Sequence, residues 1–391
     1  MIRRVNFAII ILGDYMIKLG SAFSGIGAIE QALERMNLEH EILFAIDNGN
    51  IEIEYDEAKE LEKIRAMNSI EEKRLYNNNL YKNNTRKTNF VKISYLDNYK
   101  VKDNNFFYDI KLFDGNDFHN EVDLFVGGSP CQSFSMVGAR GGFEDTRGTL
   151  FYDYVRLVKE IQPKVFIYEN VYGLLNHDKG RTWATVQNVF EEVGYHYKWA
   201  ILDARDFGIP QGRRRIFVVG FKDEEYFNKF NFPTPKELKF TMQDFLINNC
   251  PIGNFQSKNG ELVIKKGKGN PDEKLYLSEK LLKYVLSPGT KNFYHPTSNQ
   301  IDLQIARAIL STQGNSHRSS VNNYVTTNGR IRALDPRESL RLMGFPDTFK
   351  ITVSKAQSYK QSGNSIVVDV LMSLLDSIIE TGVFPSGKNR T

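Results

Sequence analysis

A thiol, a carboxylate and two guanidiniums stand at the ends of apolar runs in this chain. The run Val122–Val126, with Asp123 inside it, reads as a buried strand, and Gly127, Gly128 and Pro130 stop it just before Cys131. A deprotonated cysteine is a covalent nucleophile. The loop after a strand is where open α/β sheets gather their reactive groups. Cysteine is also a common small buried hydrophobe, but the Gly, Pro, Gln and Ser around Cys131 are surface-loop residues. Glu169 closes a second apolar run, Lys164–Tyr168, which puts a carboxylate at the same sheet edge. In Gln211-Gly212-Arg213-Arg214-Arg215, leading into the strand Ile216–Gly220, strand alternation turns Arg213 and Arg215 to one face and Arg214 to the other. Guanidiniums against so apolar a strand need an anionic or polar receiver.

A second group of residues is suited to holding a ligand. Phe23-Ser24-Gly25-Ile26-Gly27-Ala28 joins a strand opening at Ile17-Lys18-Leu19 to a helix whose inner stripe is Ile29, Ala32, Leu33 and Met36. A Gly-x-Gly bend there lets a ligand reach backbone N–H groups at a helix N-terminus. The next strand, Ile42–Ile46, ends in Asp47, twenty residues after Gly27. An acidic residue so placed can take ribose hydroxyls, and a solvated strand-end aspartate reads equally well locally. The bend and the aspartate together favour a nucleoside cofactor. Asp117-Phe118, at another expected strand end, fits either an adenine contact or a turn cap. Beyond Cys131, the stretch 138–148 holds four glycines with Arg140 and Arg147, as a lid touching phosphates would.

The elements that must position these groups follow from length and pattern. A chain of 391 residues suits a large domain with a smaller one. A net charge of +4 is compatible with a nucleic-acid partner without demanding one. Two cysteines imply no disulfide framework and fit a reducing compartment, and with six histidines they offer little for a structural zinc. No apolar run approaches membrane-spanning length. The start resembles a secretion signal only faintly, since Phe7–Leu12 is short and no small-residue cleavage site follows. Residues 1–15 are expected to be a dispensable extension ahead of Met16, from an upstream start codon. Residues 16–221 form the main domain. Within it, 51–107 reads as a solvated, partly mobile insertion without chemistry, because Leu75–Lys87 interleaves asparagine runs with lysines and tyrosines. From 222 to 329 the chain is turn-rich and partly basic, a second and irregular domain. There His317, Arg318, Asn322, Asn323 and Arg330 carry donors suited to base edges and phosphates. Residues 330–391 return to the main domain. Asp335-Pro336-Arg337-Glu338 has the form of a helix start, and Gln361–Ser365 is expected as a turn into a last amphipathic helix, Ile366–Ile379.

In order along the chain, Phe23-Ser24-Gly25-Ile26-Gly27, Pro130-Cys131-Gln132, Glu169-Asn170-Val171, Gln211-x-Arg213-x-Arg215, Arg337-Glu338 through Met343-Gly344-Phe345, and Gly363-Asn364-Ser365 resemble the cytosine-5 DNA methyltransferases of bacterial restriction–modification systems. The likeness spans nearly all of the chain except the insertion and the irregular domain. It implies a Rossmann-like α/β fold, a doubly wound and mostly parallel sheet, with the irregular region as a target-recognition domain. It implies transfer of a methyl group from S-adenosylmethionine to C5 of a flipped-out cytosine, through a Cys131–C6 adduct, leaving S-adenosylhomocysteine. Glu169 takes the role of hydrogen-bonding or protonating N3, Arg215 that of contacting O2, and Arg213 that of supporting the pocket.

By the same resemblance, Phe23, Ser24, Gly25, Ile26 and Gly27 line the cofactor pocket. Asp47 takes the ribose, Asp117 and Phe118 meet the adenine, Asn364 closes the site, and Asn48, Pro130 and Ser365 also bind the cofactor. Gln132, Ser135, Arg140, Arg147, Gln211, His317 and Arg318 face DNA. Double-stranded DNA is the partner. A restriction endonuclease acting separately, a monomeric state, a cytoplasmic bacterial setting and the absence of any metal complete the expectation. Two departures stand out: Ala308-Ile309 replaces a usual Thr-Leu, and the insertion is longer than in compact members. Three alternative readings fit parts of the pattern. A tRNA-methylating member usually carries Cys-Phe-Thr, whereas Cys250 is followed by Pro251-Ile252. A catalytically inactive DNA-binding relative would not need Cys131, Glu169 and Arg215. A nicotinamide dehydrogenase would rest on Gly25-x-Gly27 alone.

Overall fold

The computed structural model describes residues 15–130, 149–287, 300–313, 317 and 319–384. Strand β1 (Ile17–Ala22) feeds helix α1 (Ala28–Arg35), and β2 (His40–Ile46) returns parallel to β1. Helices α2 (Glu57–Arg65), α3 (Ile70–Asn84) and α4 (Phe90–Asn98) follow, then a short strand β3 (Phe106–Phe107), parallel to β2. Strand β4 (Leu124–Gly127) lies on the other side of β1, and beyond it α5 (Leu150–Ile161) leads to β5 (Val165–Val171). Helix α6 (Arg181–Glu191), β6 (His196–Asp203), the two-residue β7 (Gln211–Gly212) and β8 (Arg214–Phe221) complete this part. The seven-stranded sheet runs β3-β2-β1-β4-β5-β8-β6, with β8 antiparallel to both its neighbours. The strand order reverses between β1 and β4. That switch point opens a crevice at the strands' C-terminal ends.

Strand alternation decides which face each residue serves. Leu124, Val126, Val165, Ile167, Phe217 and Val219 enter one apolar cluster, while Phe125, Phe166, Tyr168, Ile216 and Val218 enter the other. Helices cover both faces, α1 on the first and α5 and α6 on the second, so the strands are apolar on both sides.

After β8 come α7 (Glu224–Lys229), the hairpin β9 (Phe255–Lys258) and β10 (Glu261–Ile264), α8 (Glu279–Val285), β11 (Ala306–Arg307) parallel to β7, and the hairpin β12 (Tyr324–Thr327) and β13 (Arg330–Ala333). Phe230, Met242, Phe245, Cys250 and Phe255 of this irregular stretch belong to the same apolar cluster as β1 and α1. Helix α9 (Pro336–Arg341) begins as its sequence predicts. Asp335 accepts the Arg337 N–H at 2.8 Å, and Glu338 reaches back to accept the Asp335 N–H at 2.7 Å. Helix α10 (Lys355–Asn364) precedes the last helix, α11 (Val368–Ile379). The ion pair of Arg35 with Asp369, 2.7 Å, ties α11 to α1.

Three expectations are corrected. Tyr15, counted with the extension, is built into the fold: its hydroxyl donates to Asp123 at 2.8 Å and its ring stacks on Phe384 at 6.2 Å. Gln361–Ser365 is not a turn. Through Asn364 it is the end of α10, started by the Ser354 cap, which accepts the Gln357 N–H at 3.4 Å. The asparagine-rich stretch is not irregular: through Asn84 it is helix α3, with Asn79, Lys82, Asn83 and Asn84 exposed as expected but Asn77 fully buried and Asn78 and Tyr81 buried beside it. Asn77 donates to the Asp109 carbonyl at 3.0 Å and accepts the Asp109 N–H at 3.0 Å, while Asn78 donates to the Phe106 carbonyl at 2.9 Å. An amide side chain carries both donor and acceptor, so it can stand in for a neighbouring strand beside β3.

Candidate active site

At the switch point lies a cavity of about 440 Å³, lined from one side by Phe23, Gly25 and Asp47 and from the other by Glu169, Arg213 and Arg215. The loop between β1 and α1 takes left-handed backbone at Phe23, Gly25 and Gly27, with φ of 54°, 54° and 78°. A Cβ on Gly27 would enter the Tyr99 ring, whose hydroxyl donates to the Gly27 carbonyl at 3.0 Å. Only glycine allows that approach at that φ. Asp47 accepts the Gly25 N–H at 2.9 Å and the Gly49 N–H at 2.8 Å, which fastens the loop to the end of β2. Burial pushes the Asp47 carboxyl pKa up, and the two backbone bonds and the charge of Lys360 oppose it.

Glu169 is the first residue of β5 beyond its pairing with β4, still paired with Phe217 of β8. Its Oε1 lies 3.0 Å from Arg215 Nε, and both side chains are largely buried. Burial raises the Glu169 pKa, against the charges of Arg215 and Arg213. Gly128, at the end of β4, passes so near that a Cβ there would lie 2.8 Å from the Glu169 carbonyl and 3.0 Å from Oε2. Asn170 donates to the Ser129 carbonyl at 2.9 Å, and the Ser129 and Tyr168 hydroxyls are 2.8 Å apart. These bonds fix the chain up to Pro130, which lines the cavity. Cys131, Gln132, Ser135, Arg140, Arg147 and Arg318 lie outside the described residues.

The alternation expected for the arginines is present. Arg213 and Arg215 line the cavity, while exposed Arg214 lies over the Tyr172 ring at 4.3 Å. Arg213, 4% exposed, donates to the carbonyls of Ile309 (2.8 Å), Gly363 (2.9 Å) and Ser365 (2.8 Å). Burial, then the like charge of Arg215, push its pKa down, and it keeps its charge against three carbonyl dipoles. The chemistry this end offers is a carboxyl made easier to protonate, beside a fixed cation. Together they can donate to one ring nitrogen and stabilise charge on an adjacent oxygen.

Other expected site residues are placed elsewhere. Asp117 accepts from Lys73 at 2.7 Å, and Phe118 packs on Phe44 at 4.7 Å, so neither lines the cavity. The wall there is Tyr108, Asp109 and Ile110, carried to the crevice by the end of β3. Gln211 does not face DNA. It is fully buried, donating to the Leu342 carbonyl at 2.6 Å and accepting the Ile309 N–H at 2.8 Å. The partner strand β11, from much later in the chain, covers it. Ser24, Ile26 and Gly27 shape the loop behind the wall, with the Ser24 hydroxyl on the Ile46 carbonyl at 3.2 Å and Ile26 buried. Ser365 likewise serves through its carbonyl on Arg213 rather than as wall. Asn48 and Asn364 do line the cavity. His317 is half-buried and stands apart from it. Asn323 is buried and clasps the Arg307 backbone at 2.8 and 3.0 Å, a structural use rather than a base-reading one. Asp109 and Ile110 were missed; the sequence signal was the Phe-Phe pair just ahead of them.

Against this geometry the comparisons with known proteins are direct. The profile of the C-5 cytosine-specific DNA methylase family matches residues 17–380. The type II methyltransferase M.SsoII of Shigella sonnei is 37% identical over 278 residues, 70% of this chain and 68% of that protein. The type II methyltransferase M.HhaI of Haemophilus parahaemolyticus is 33% identical over 272 residues, 66% of this chain and 75% of that protein. In fold, the crystal structure of S. pombe Dnmt2 methyltransferase superposes with a TM-score of 0.60 at 17% identity, covering 93% of this chain and 98% of that one. The chain belongs to the C-5 cytosine-specific DNA methylase family and is an enzyme that methylates DNA at C5 of cytosine.

Proposed function

We propose that Cys131 is the nucleophile of this methylase, that Glu169 and Arg215 grip the target cytosine, and that S-adenosylmethionine is the donor. The observation that carries the reading is the Glu169–Arg215 pair at 3.0 Å in a cavity bounded by Pro130, the residue before the thiol. Cytosine C5 is a poor nucleophile. The Cys131 thiolate adds to C6, forming the S–C6 bond and pushing the electron pair of the C5=C6 bond toward C5. Glu169, its pKa raised by burial, donates to N3 as that ring becomes electron-rich. Arg215 faces O2 and stabilises the charge that builds there. C5 takes the methyl group, with the donor's sulfur departing as a neutral thioether; a base then removes the C5 proton, the electron pair left behind re-forms C5=C6 and expels the thiolate, and the N3 proton returns to Glu169. The cytosine must first leave the duplex stack, since C6 is out of reach inside it.

The cavity suits the donor. Its volume lies in the range of small-molecule sites, roughly 300–1,000 Å³. Phe23, Ile46, Ile110 and Leu150 give apolar walls for a purine, and Asp47 and Asp109 give acceptors. When bound, S-adenosylmethionine supplies an electrophilic methyl group. Phe23 and Gly25 approach it from the β1 loop, Asp47 and Asn48 from the end of β2, and Asn364 from α10. Asp109 and Ile110 take the adenine side.

Gln132, Ser135, Arg140, Arg147, His317 and Arg318 remain the expected DNA-facing residues. We infer that the enzyme works as a monomer in a bacterial cytoplasm, alongside a separately acting restriction endonuclease. Methyl transfer to duplex DNA, with bisulfite sequencing of DNA from an expressing host, tests the whole reading. Cys131→Ser is expected to abolish turnover while leaving DNA binding largely intact. Turnover equal to the unaltered enzyme would overturn the thiol role, and methylation of tRNA instead of duplex DNA would overturn the substrate.

A further inference from the structure

The segment 51–107 carries more of the cavity than its composition suggests. Asp109, 5% exposed, lines the cavity, and its carboxylate is held almost wholly by that segment. The Tyr55 hydroxyl donates to Oδ2 at 2.6 Å, and the Tyr81 hydroxyl donates to the same oxygen at 2.6 Å. Among the described residues Oδ1 accepts only the Lys111 N–H, at 3.0 Å. Asn77 holds the Asp109 backbone from both sides, and its Oδ1 also accepts the Tyr108 N–H at 3.1 Å. Among the described residues no lysine or arginine forms an ion pair with Asp109. Burial and the nearby Asp109 charge push both phenol pKa values up, so the hydroxyls stay protonated and can only donate to the carboxylate. One oxygen is therefore saturated by two short bonds, and the other keeps an open acceptor site on a residue of the cavity wall. An ionised carboxylate is acceptor-only. It welcomes an N–H donor from a ligand and repels a carbonyl oxygen in the same place.

We propose that Tyr55 and Tyr81 are positioning residues of the cofactor site. They lock the Asp109 carboxylate in one orientation, so the insertion sets the enzyme's preference for a 6-aminopurine over a 6-oxopurine cofactor. Tyr55 comes from the coil before α2 and Tyr81 from α3, so neither belongs to the strands and loops that carry the reacting groups. Removing both hydroxyls leaves Oδ2 without donors and frees the side chain to turn its charge away from the purine. This rests on the cofactor reading given above.

The test uses the full-length enzyme and calorimetric binding of S-adenosylhomocysteine and its deaminated counterpart, S-inosylhomocysteine. The unaltered protein should bind the amino form more tightly. The double variant Tyr55→Phe/Tyr81→Phe should bind S-adenosylhomocysteine about tenfold more weakly, the worth of one hydrogen bond to a charged group. Its affinity for the inosine form should hold steady, so that the ratio collapses. The rate at saturating donor and the KM for DNA should not move. An unchanged ratio overturns the proposal, whether both affinities stay or both fall together, because a merely structural role lowers them in parallel. If the double variant does not fold, Tyr55→Phe alone, at a half-buried position, is expected to shift the ratio in the same direction, and an unshifted ratio there has the same consequence. Failure of the unaltered protein to bind either compound would instead overturn the cofactor reading itself.

Discussion

At the sheet edge the cavity holds Glu169 against Arg215, charge against charge, with Arg213 close behind. At the opposite end Asp47 is held by the N–H groups of Gly25 and Gly49, and Asp109 by two phenols and a backbone N–H. Both ends bury carboxylates, but among the described residues only the first pairs one directly with a cation; at the second, Lys360 lends its charge to Asp47 without an ion pair. Donors fixed in the backbone and on neighbouring phenols hold a carboxylate still, which suits recognition. A guanidinium partner that also faces the cavity leaves the carboxyl free to change its protonation and its partner when a base arrives, which suits chemistry. Substitutions at the charged end should therefore strike rate, and substitutions at the dipolar end should strike affinity.

Among the cavity residues compared above, the largest effect is expected from Glu169→Gln. Amide for carboxyl keeps the shape but removes the proton donor, and methyl transfer should fall by roughly 10²–10⁴. Binding of S-adenosylhomocysteine should hardly change. A parallel loss of cofactor affinity would erase the contrast between the two ends. Because burial raises the Glu169 pKa, its protonated form persists to higher pH than an ordinary glutamate's. The single-turnover rate should decline as pH rises through that raised value, and this limb should be missing in the Gln variant.

Arg213 tests whether a residue on the charged end acts in the chemistry or holds the frame. Its guanidinium ties the Ile309 carbonyl to those of Gly363 and Ser365, so it joins the irregular region to the end of α10. Arg213→Met should lower unfolding stability by on the order of 3 kcal/mol, because buried carbonyls lose their donor. Denaturant unfolding measures it. A fully stable but slow variant would move Arg213 into the chemical group alongside Arg215.

Glu30 sharpens the comparison from beneath the dipolar end. It is fully buried under the β1 loop, accepting the Ser21 hydroxyl at 2.9 Å and the Tyr95 hydroxyl at 2.6 Å, and burial pushes its pKa up to about 7. The folded protein therefore holds this proton more tightly than the unfolded chain does. Its contribution to stability is fully present below the unfolded value of 4.5 and is lost as pH rises through about 7. The loss is on the order of 3 kcal/mol. Glu30→Gln should remove that slope, so the variant gains on the parent between pH 5 and pH 8 in urea melts. A matching slope in both proteins would contradict it. The smallest effect is expected from Gly27→Ala. Its methyl meets the Tyr99 ring at a positive φ, and cofactor binding should weaken by on the order of tenfold with the rate at saturation kept.

What could be read in advance divides along the same line. Arg213, Arg215 and Glu169 were legible because strand alternation and strand ends leave a local signature of period two. Asp109 was not, because β3 is only the Phe106–Phe107 pair, too short an apolar run to announce a strand end. Asn77 and Asn78 looked solvated because their partners, at Phe106–Asp109, lie some thirty positions away. Gln211 looked surface-bound because its cover, Ala306 and Arg307, arrives almost a hundred residues later. Composition reports polarity but not whether that polarity finds a partner inside.

The central claim is that the thiol of Cys131 bonds to C6 of a cytosine held by Glu169 and Arg215. A duplex in which every cytosine carries fluorine at C5 tests it most directly, since that fluorine cannot depart as a proton does. With S-adenosylmethionine present, the account predicts a denaturation-resistant protein–DNA adduct, mapped by peptide mass spectrometry to Cys131 and formed far more slowly by Glu169→Gln. An adduct on another residue, or methyl transfer to ordinary duplex DNA with no adduct on the fluorinated one, would contradict it.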